Sequence, residues 1–128
     1  MSKKSSSSCC LDVIDYNKNR IIFHEKRRKE KANTHVDLDD LSPNGFVKKS
    51  IPEALVDPDV IWEDLTNPKI RNYYKLNYYQ KTRFSRFNLY TKVVVGTWDK
   101  PWFILTAYQP QNIKEEKGDT KKCLYQKQ

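Results

Sequence analysis

The sequence predicts an α+β fold in which short helices pack on a mainly antiparallel sheet of about four to five strands. Two short helix-forming segments, Glu25–Ala32 and Ser50–Val56, lie in the first half of the chain. Three runs rich in aromatic and β-branched residues follow, a composition typical of strands: Tyr73–Gln80, Tyr90–Trp98 and Trp102–Tyr108. An all-β barrel with the helices as excursions is the alternative.

The chain begins with a segment, 1–10, that predicts a disordered tail, because lysines and serines are followed by no apolar signal core. A single domain is expected over 11–113, followed by a polar tail over 114–128. Within this tail only Leu124 and Tyr125 are suited to pack back against the domain. Two apolar runs, Leu11–Ile14 and Ile21–Phe23, flank a polar turn. They predict a β-hairpin at the start of the domain.

The helices and the loop between them follow from local composition. Glu25–Ala32 consists almost entirely of charged helix formers without Gly or Pro, which indicates a short exposed helix with a basic face. Asn33–Gly45 is rich in turn residues and indicates a loop. Ser50 precedes a proline in the first helical turn, and Ala54–Val56 supplies the apolar side of a second helix.

The central strands are indicated by continuous apolar runs. Val93–Val95 and Phe103–Leu105 suit strands that are covered on both faces. Asp99–Pro101 joins them by a tight connection, so the two strands should be antiparallel neighbours. Val60–Trp62 predicts a further short, buried strand or extended segment.

Charge is strongly segregated along the chain. The protein carries 24 Lys and Arg against 16 Asp and Glu, a formal net charge of +8, which favours a polyanionic partner such as RNA. No acid occurs between Leu65 and Trp98, where cations alternate with aromatic residues suited to phosphates and unpaired bases. The expected RNA-binding residues are Arg27, Arg28, Lys69, Arg71, Lys75, Tyr78 and Arg86. The alternative is a strand core of tyrosines with a solvated lysine face.

Several classes of protein are disfavoured. No apolar run approaches the roughly 18 residues of a membrane span, so a soluble protein with no membrane partner is expected. The cysteines Cys9, Cys10 and Cys123 form no CxxC pair, which favours spare thiols of a reducing cytoplasm over a zinc site. Glycine-rich phosphate loops and the usual hydrolase motifs are absent from the sequence, and no cofactor or metal is expected.

Two histidines are the candidate proton-transfer groups near neutral pH. His35 follows a basic stretch, which places it well to meet an RNA phosphate, whereas His24 ends an apolar strand. Thr106 and Tyr108 alternate in the last strand, so their hydroxyls share one face and can position a phosphate. They are equally compatible with an edge threonine and a core tyrosine.

A magnesium site is disfavoured for the acidic segment between Asp57 and Asp64. Asp57-Pro58-Asp59 is turn chemistry, and Glu63 and Asp64 are adjacent, so their side chains point apart on a strand.

The order of several short motifs resembles that of a known ribonuclease group. These motifs are Ile-Ile-Phe-His at 21–24, Thr-His at 34–35, Pro-Glu-Ala-Leu-Val-Asp-Pro-Asp-Val-Ile at 52–61, Lys-Val-Val-Val at 92–95 and Ile-Leu-Thr-Ala-Tyr at 104–108. The likeness is to the phage-associated branch of the group that gathers barnase, EndoU, the colicin tRNases and RelE. It spans Ile21 to Ile113 and implies a nuclease-like domain of helices on an antiparallel sheet.

The resemblance implies a metal-independent endoribonuclease of toxin type, with tRNA as one candidate substrate. Its histidine falls on His35, the expected general base for 2′-hydroxyl transesterification, with His24 as the alternative base. Tyr108 or His24 protonates the leaving oxygen. Lys81 and Arg83 are expected to stabilise charge on the phosphorane, with Thr106 holding an oxygen. An acidic inhibitor protein is a further candidate partner. The alternative is a non-catalytic nucleic-acid-binding or adaptor protein of a mobile element.

Overall fold

The computed structural model describes residues 8–81, 86–114 and 122–127, and these form one seven-stranded sheet with two short α-helices. The strands are β1 (Cys9–Ile14), β2 (Arg20–His24), β3 (Val60–Glu63), β4 (Ile70–Lys81), β5 (Arg86–Gly96), β6 (Trp102–Tyr108) and β7 (Cys123–Gln126). The helices are α1 (Glu25–Ala32) and α2 (Ile51–Val56). A 3₁₀ turn at Val36–Asp39 and a π-helical turn at Phe46–Ser50 lie between them.

The strand order is β1-β2-β6-β5-β4-β3-β7, and every neighbouring pair is antiparallel except β2 with β6. The α+β class and the mainly antiparallel sheet are confirmed, whereas the predicted count of four to five strands is wrong. The sheet is wider because the N-terminal hairpin, β3 and β7 all join the central strands. Leu124 and Tyr125 of β7 pack against the core, although they lie within the predicted polar tail. β1 likewise begins inside the segment 1–10, at Cys9.

Both α-helices pack on the same face of the sheet. The main core joins Leu38 and Leu55, from the helical part of the chain, to Ile21, Tyr73 and Val93 of the strands. A second cluster lies on the opposite face, which we call the distal face, and consists of Val60, Trp62, Tyr74 and Ile113 with Tyr90 packed against it. The alternation of side chains along each strand therefore separates the helix-covered core from the distal face.

A buried carboxylate ties the first hairpin to the centre of the sheet. Asp15 is 5% exposed and accepts a 2.6 Å hydrogen bond from the Tyr73 hydroxyl. It also accepts hydrogen bonds from the backbone amides of Asn17 and Asn19, at 2.9 and 2.8 Å. One side chain thus fixes both the β1–β2 turn and its contact with β4.

Replacement of Asp15 with alanine should lower the free energy of unfolding by about 3 kcal/mol, because one buried donor and several partly buried ones lose their acceptor together. Tyr73→Phe should cost only about 1 kcal/mol, since Asp15 keeps its other donors. Urea denaturation of both variants measures the difference. A loss in Asp15→Ala no larger than that in Tyr73→Phe would contradict this role for the carboxylate.

Stability should decline at alkaline pH. Burial raises the pKa of the Cys10 thiol from 9.0 to about 11, and burial together with Asp15 raises the pKa of the Tyr73 hydroxyl well above 10.0. Because both groups ionise more readily in the unfolded chain, the stability present below pH 9 is lost as pH rises beyond it. Urea midpoints between pH 8 and 11 test this, and the decline should be shallower in Cys10→Ala and Tyr73→Phe.

Candidate functional site

Two rows of side chains cross the distal face, as the strand register requires. Moving from β3 through β4 and β5 to β6, the first row is Val60, Tyr74, Lys92 and Tyr108, and the second is Trp62, Asn72, Val94 and Thr106. The β3 residues of the two rows, Val60 and Trp62, are apolar or aromatic. Polar groups follow toward β6, where two of the predicted catalytic residues lie side by side on one face.

Lys92 is the charged centre of this face. It is 6% exposed, and its Nζ lies 5.4 Å from the ring centroid of Tyr74 and 5.3 Å from that of Tyr108. Both distances are within the range of cation–π interactions. A cation held in a water-poor setting acts on nearby charge more strongly than a solvated one. Lys92 therefore offers a fixed positive charge to an anion on this face.

His35 stacks on the ring of the same tyrosine. The imidazole and the ring of Tyr108 are nearly parallel, at 9°, with their centroids 4.4 Å apart. The backbone of His35 is held between α1 and the 3₁₀ turn, because its amide donates to the Lys31 carbonyl and its carbonyl accepts from the Leu38 amide. The structure thus brings His35 and Tyr108 together, although they are 73 positions apart in the chain.

Thr106 and Asn72 add buried polar atoms to the second row. Neither Thr106 Oγ1 nor Asn72 Oδ1 has a hydrogen-bond partner among the residues that the structure describes. The amide of Asn72 donates to Asp64 at 3.1 Å. Burial raises the pKa of Asp64, but hydrogen bonds from Asn72 and Thr66 and the charge of Lys92 outweigh it, and the pKa is lowered overall. Buried polar atoms without partners are uncommon and often mark a place where a ligand or water binds.

No family model matches this chain, and neither does any curated protein or solved structure.

Three of the predicted RNA-binding cations lie away from the distal face. Arg28 is 4% exposed, and its guanidinium donates to both Glu25 carboxylate oxygens and to the Leu38 carbonyl. It fastens α1 to the 3₁₀ turn. Arg71 lies over the ring of Trp102 at 4.8 Å, and Lys75 Nζ lies 3.0 Å from the Asp57 carboxylate. Arg71 and Lys75 alternate with Tyr74, so they share the helix-covered face with Tyr73.

The remaining predicted residues are scattered or lie outside the description. Arg27 is half-buried on α1, and Lys69 is exposed at the far end of the sheet, where its carbonyl accepts from Thr97. His24 is exposed at the end of β2, with Nδ1 4.0 Å from Cys9 Sγ. Arg83 lies outside the described residues, and the structure describes the backbone but not the side chains of Tyr78, Lys81 and Arg86.

The acidic residues between Asp57 and Asp64 are used in local structure. Asp57 pairs with Lys75 and Lys127, and Asp59 accepts a hydrogen bond from the Leu76 amide. In the described parts of the chain, no three His, Cys, Asp or Glu side chains are grouped as a metal site requires. Within the same ranges, no helix has both the length and the apolar character needed to cross a bilayer.

Lys92 is the residue of this site that the sequence analysis did not propose as catalytic. The signal is present in the chain, since Lys92 interrupts the otherwise uncharged run Thr91–Val95 of a central strand. A lysine at such a position must either reach solvent or be accommodated by partners within the fold.

Proposed function

We propose that this protein is a metal-independent endoribonuclease that cleaves RNA by attack of a ribose 2′-hydroxyl on the adjacent phosphate. The observation that carries the proposal is the stack of His35 on Tyr108, beside the buried cation of Lys92. A base, a hydroxyl donor and a positive charge are the three groups that this reaction requires. The resemblance of the sequence to the barnase, EndoU, colicin and RelE group supports the same chemistry.

In the proposed reaction His35 removes the proton from the 2′-hydroxyl, and the freed oxygen attacks phosphorus. The bond between phosphorus and the 5′-oxygen then breaks, and the leaving oxygen receives a proton. Tyr108 is the better placed donor, because its ring contacts His35, whereas the His24 ring lies beside Cys9 at the end of β2. The products are a 2′,3′-cyclic phosphate on one fragment and a 5′-hydroxyl on the other.

Charge on the pentacovalent phosphate is stabilised in this scheme by Lys92, with Thr106 Oγ1 donating to one phosphate oxygen. Thr106 fits this role because its hydroxyl is buried and has no partner among the described residues. Lys81 and Arg83 remain proposed for the same task from the sequence. Preorganised charges and donors of this kind supply a large part of the rate enhancement in phosphate chemistry.

The proposed substrate is single-stranded RNA, with tRNA as a candidate, lying over the distal face. The net charge of +8 supports a phosphate-dominated contact, so affinity should fall steeply as salt rises. Unpaired bases are favoured because the face offers the partly exposed aromatic rings of Tyr90 and Tyr108. An acidic inhibitor protein that covers this basic chain is proposed on the resemblance alone.

Incubation of the purified protein with mixed tRNA and with single-stranded DNA, each with and without EDTA, tests the proposal. We expect RNA fragments ending in 2′,3′-cyclic phosphate, unchanged by the chelator, and intact DNA, which lacks the nucleophile. Cleavage of DNA as readily as RNA would exclude 2′-hydroxyl chemistry. Salt-sensitive binding of every RNA without cleavage would support the adaptor alternative instead.

A further inference from the structure

A pocket of about 480 Å³ lies on the distal face beside the proposed catalytic residues. It lies within the roughly 300–1,000 Å³ range of ligand pockets. Its walls are mostly apolar and aromatic, with three polar side chains, and the residues that line it are Asp59, Val60, Trp62, Leu76, Tyr90, Ile113, Gln126 and Lys127.

The lining of the pocket suits a flat heterocycle with polar edges. Trp62 and Tyr90 provide aromatic surface for stacking. The indole Nε1 of Trp62 is buried and has no acceptor among the residues that the structure describes. Asp59 offers a carboxylate fixed by a hydrogen bond from the Leu76 amide, and Gln126 offers an exposed amide. An apolar ligand would use none of these polar groups.

The pocket is continuous with the proposed catalytic row. Val60 lines the pocket and lies opposite Tyr74 of β4, which in turn lies opposite Lys92 of β5. Tyr90, also in the lining, packs edge-on against Tyr74, with ring centroids 6.2 Å apart. Tyr90 and Lys92 are two residues apart on one face of β5, a separation of roughly 7 Å. A nucleotide whose phosphate lies at Lys92 can therefore reach the pocket with its own base or that of its neighbour.

We propose that this pocket holds one unpaired nucleobase of the bound RNA strand. The inference rests on the proposed ribonuclease function and extends it, because it assigns a base-binding subsite next to the scissile phosphate. Stacking on Trp62 and Tyr90 supplies affinity for any base. The groups of Asp59 and Gln126 read the base edge and make the site selective.

The test compares two kinds of RNA hexamer that cannot be cleaved because their 2′-hydroxyls are methylated. In the first kind every position is abasic, and in the second a single position carries one of the four bases. Fluorescence anisotropy measures their affinities for the full-length protein. We expect the best single base to strengthen binding about tenfold over the abasic backbone. Leu76→Trp, which fills the pocket from its rim, should abolish that gain and leave binding of the abasic backbone unchanged.

Leu65→Trp is the matched control, because Leu65 is 40% exposed and Leu76 41%, and only Leu76 lines the pocket. It should retain the full gain, and thermal unfolding verifies that both variants are folded. Leu76→Phe is the second filling variant if Leu76→Trp does not fold. The proposed subsite would be overturned if no base increased the affinity, or if the increase persisted in the pocket-filling variant. Cleavage of tRNA would in either case still support the ribonuclease function. Failure of the protein to bind the abasic backbone or to cleave any RNA would instead remove the proposed function, and the subsite with it.

Discussion

Replacing His35 with alanine is expected to slow RNA cleavage by roughly 10²- to 10⁴-fold, the usual contribution of a general base. Of the two stacked rings, His35 and Tyr108, the imidazole is the one suited to accept the 2′-hydroxyl proton. RNA binding should change little, since a general base acts mainly in the transition state. Single-turnover rates with saturating tRNA measure the effect on chemistry separately from binding.

The chain provides a matched control, because it contains only two histidines. His24→Ala should cleave at close to the wild-type rate, since His24 lies at the end of β2 beside Cys9. His35→Phe retains an aromatic ring against Tyr108 and should be as slow as His35→Ala. Undiminished cleavage by His35→Ala, together with a large loss in His24→Ala, would move the base to His24.

Much of the fold could be predicted because its elements are determined locally. The predicted helix Glu25–Ala32 has the bounds of α1, and its charged helix formers require no distant partner. The apolar runs Val93–Val95 and Phe103–Leu105 lie in neighbouring antiparallel strands, as their composition and the short connection predicted. The strand Val60–Trp62 was likewise recognisable, because three consecutive apolar residues seldom lie in a loop.

The elements that were missed depend on long-range pairing. β7 has only four residues, and its place beside β3 depends on contacts across more than 60 positions of the chain. Its sequence, Cys-Leu-Tyr-Gln, is too short to show a clear strand period. The π-helical turn at Phe46–Ser50 runs directly into α2, so the local pattern indicated only the second of these elements.

The sequence predicts which face of the sheet a side chain occupies, but it does not predict which cations are buried. The alternation of Thr106 and Tyr108 was sufficient to place them on one face. Arg28 stands among charged residues and Lys92 interrupts an apolar strand, and the sequence alone does not show that either side chain is almost fully buried. Both are almost fully buried in the fold: Arg28 bonds to Glu25 and to the Leu38 carbonyl, and the Lys92 Nζ lies over the rings of Tyr74 and Tyr108. The burial of both cations is therefore visible only in the tertiary structure.

Replacing Lys92 with methionine is expected to slow RNA cleavage by roughly 10²-fold, the loss typical when one preorganised charge or donor is removed from an anionic transition state. Methionine is similar in size to lysine and removes the charge without leaving a large cavity. Methionine also keeps contact with the rings of Tyr74 and Tyr108.

Lys75→Met controls for the loss of one positive charge on a neighbouring strand. Lys75 alternates with Tyr74 and pairs with Asp57, so it lies on the face opposite Lys92. Its removal should leave the rate of the chemical step unchanged. Single-turnover rates at saturating tRNA compare the two variants, and thermal unfolding confirms that each is folded. Equal rates in Lys92→Met and the wild type would contradict a catalytic charge at Lys92, and equal losses in both variants would assign the effect to net charge rather than to the distal face.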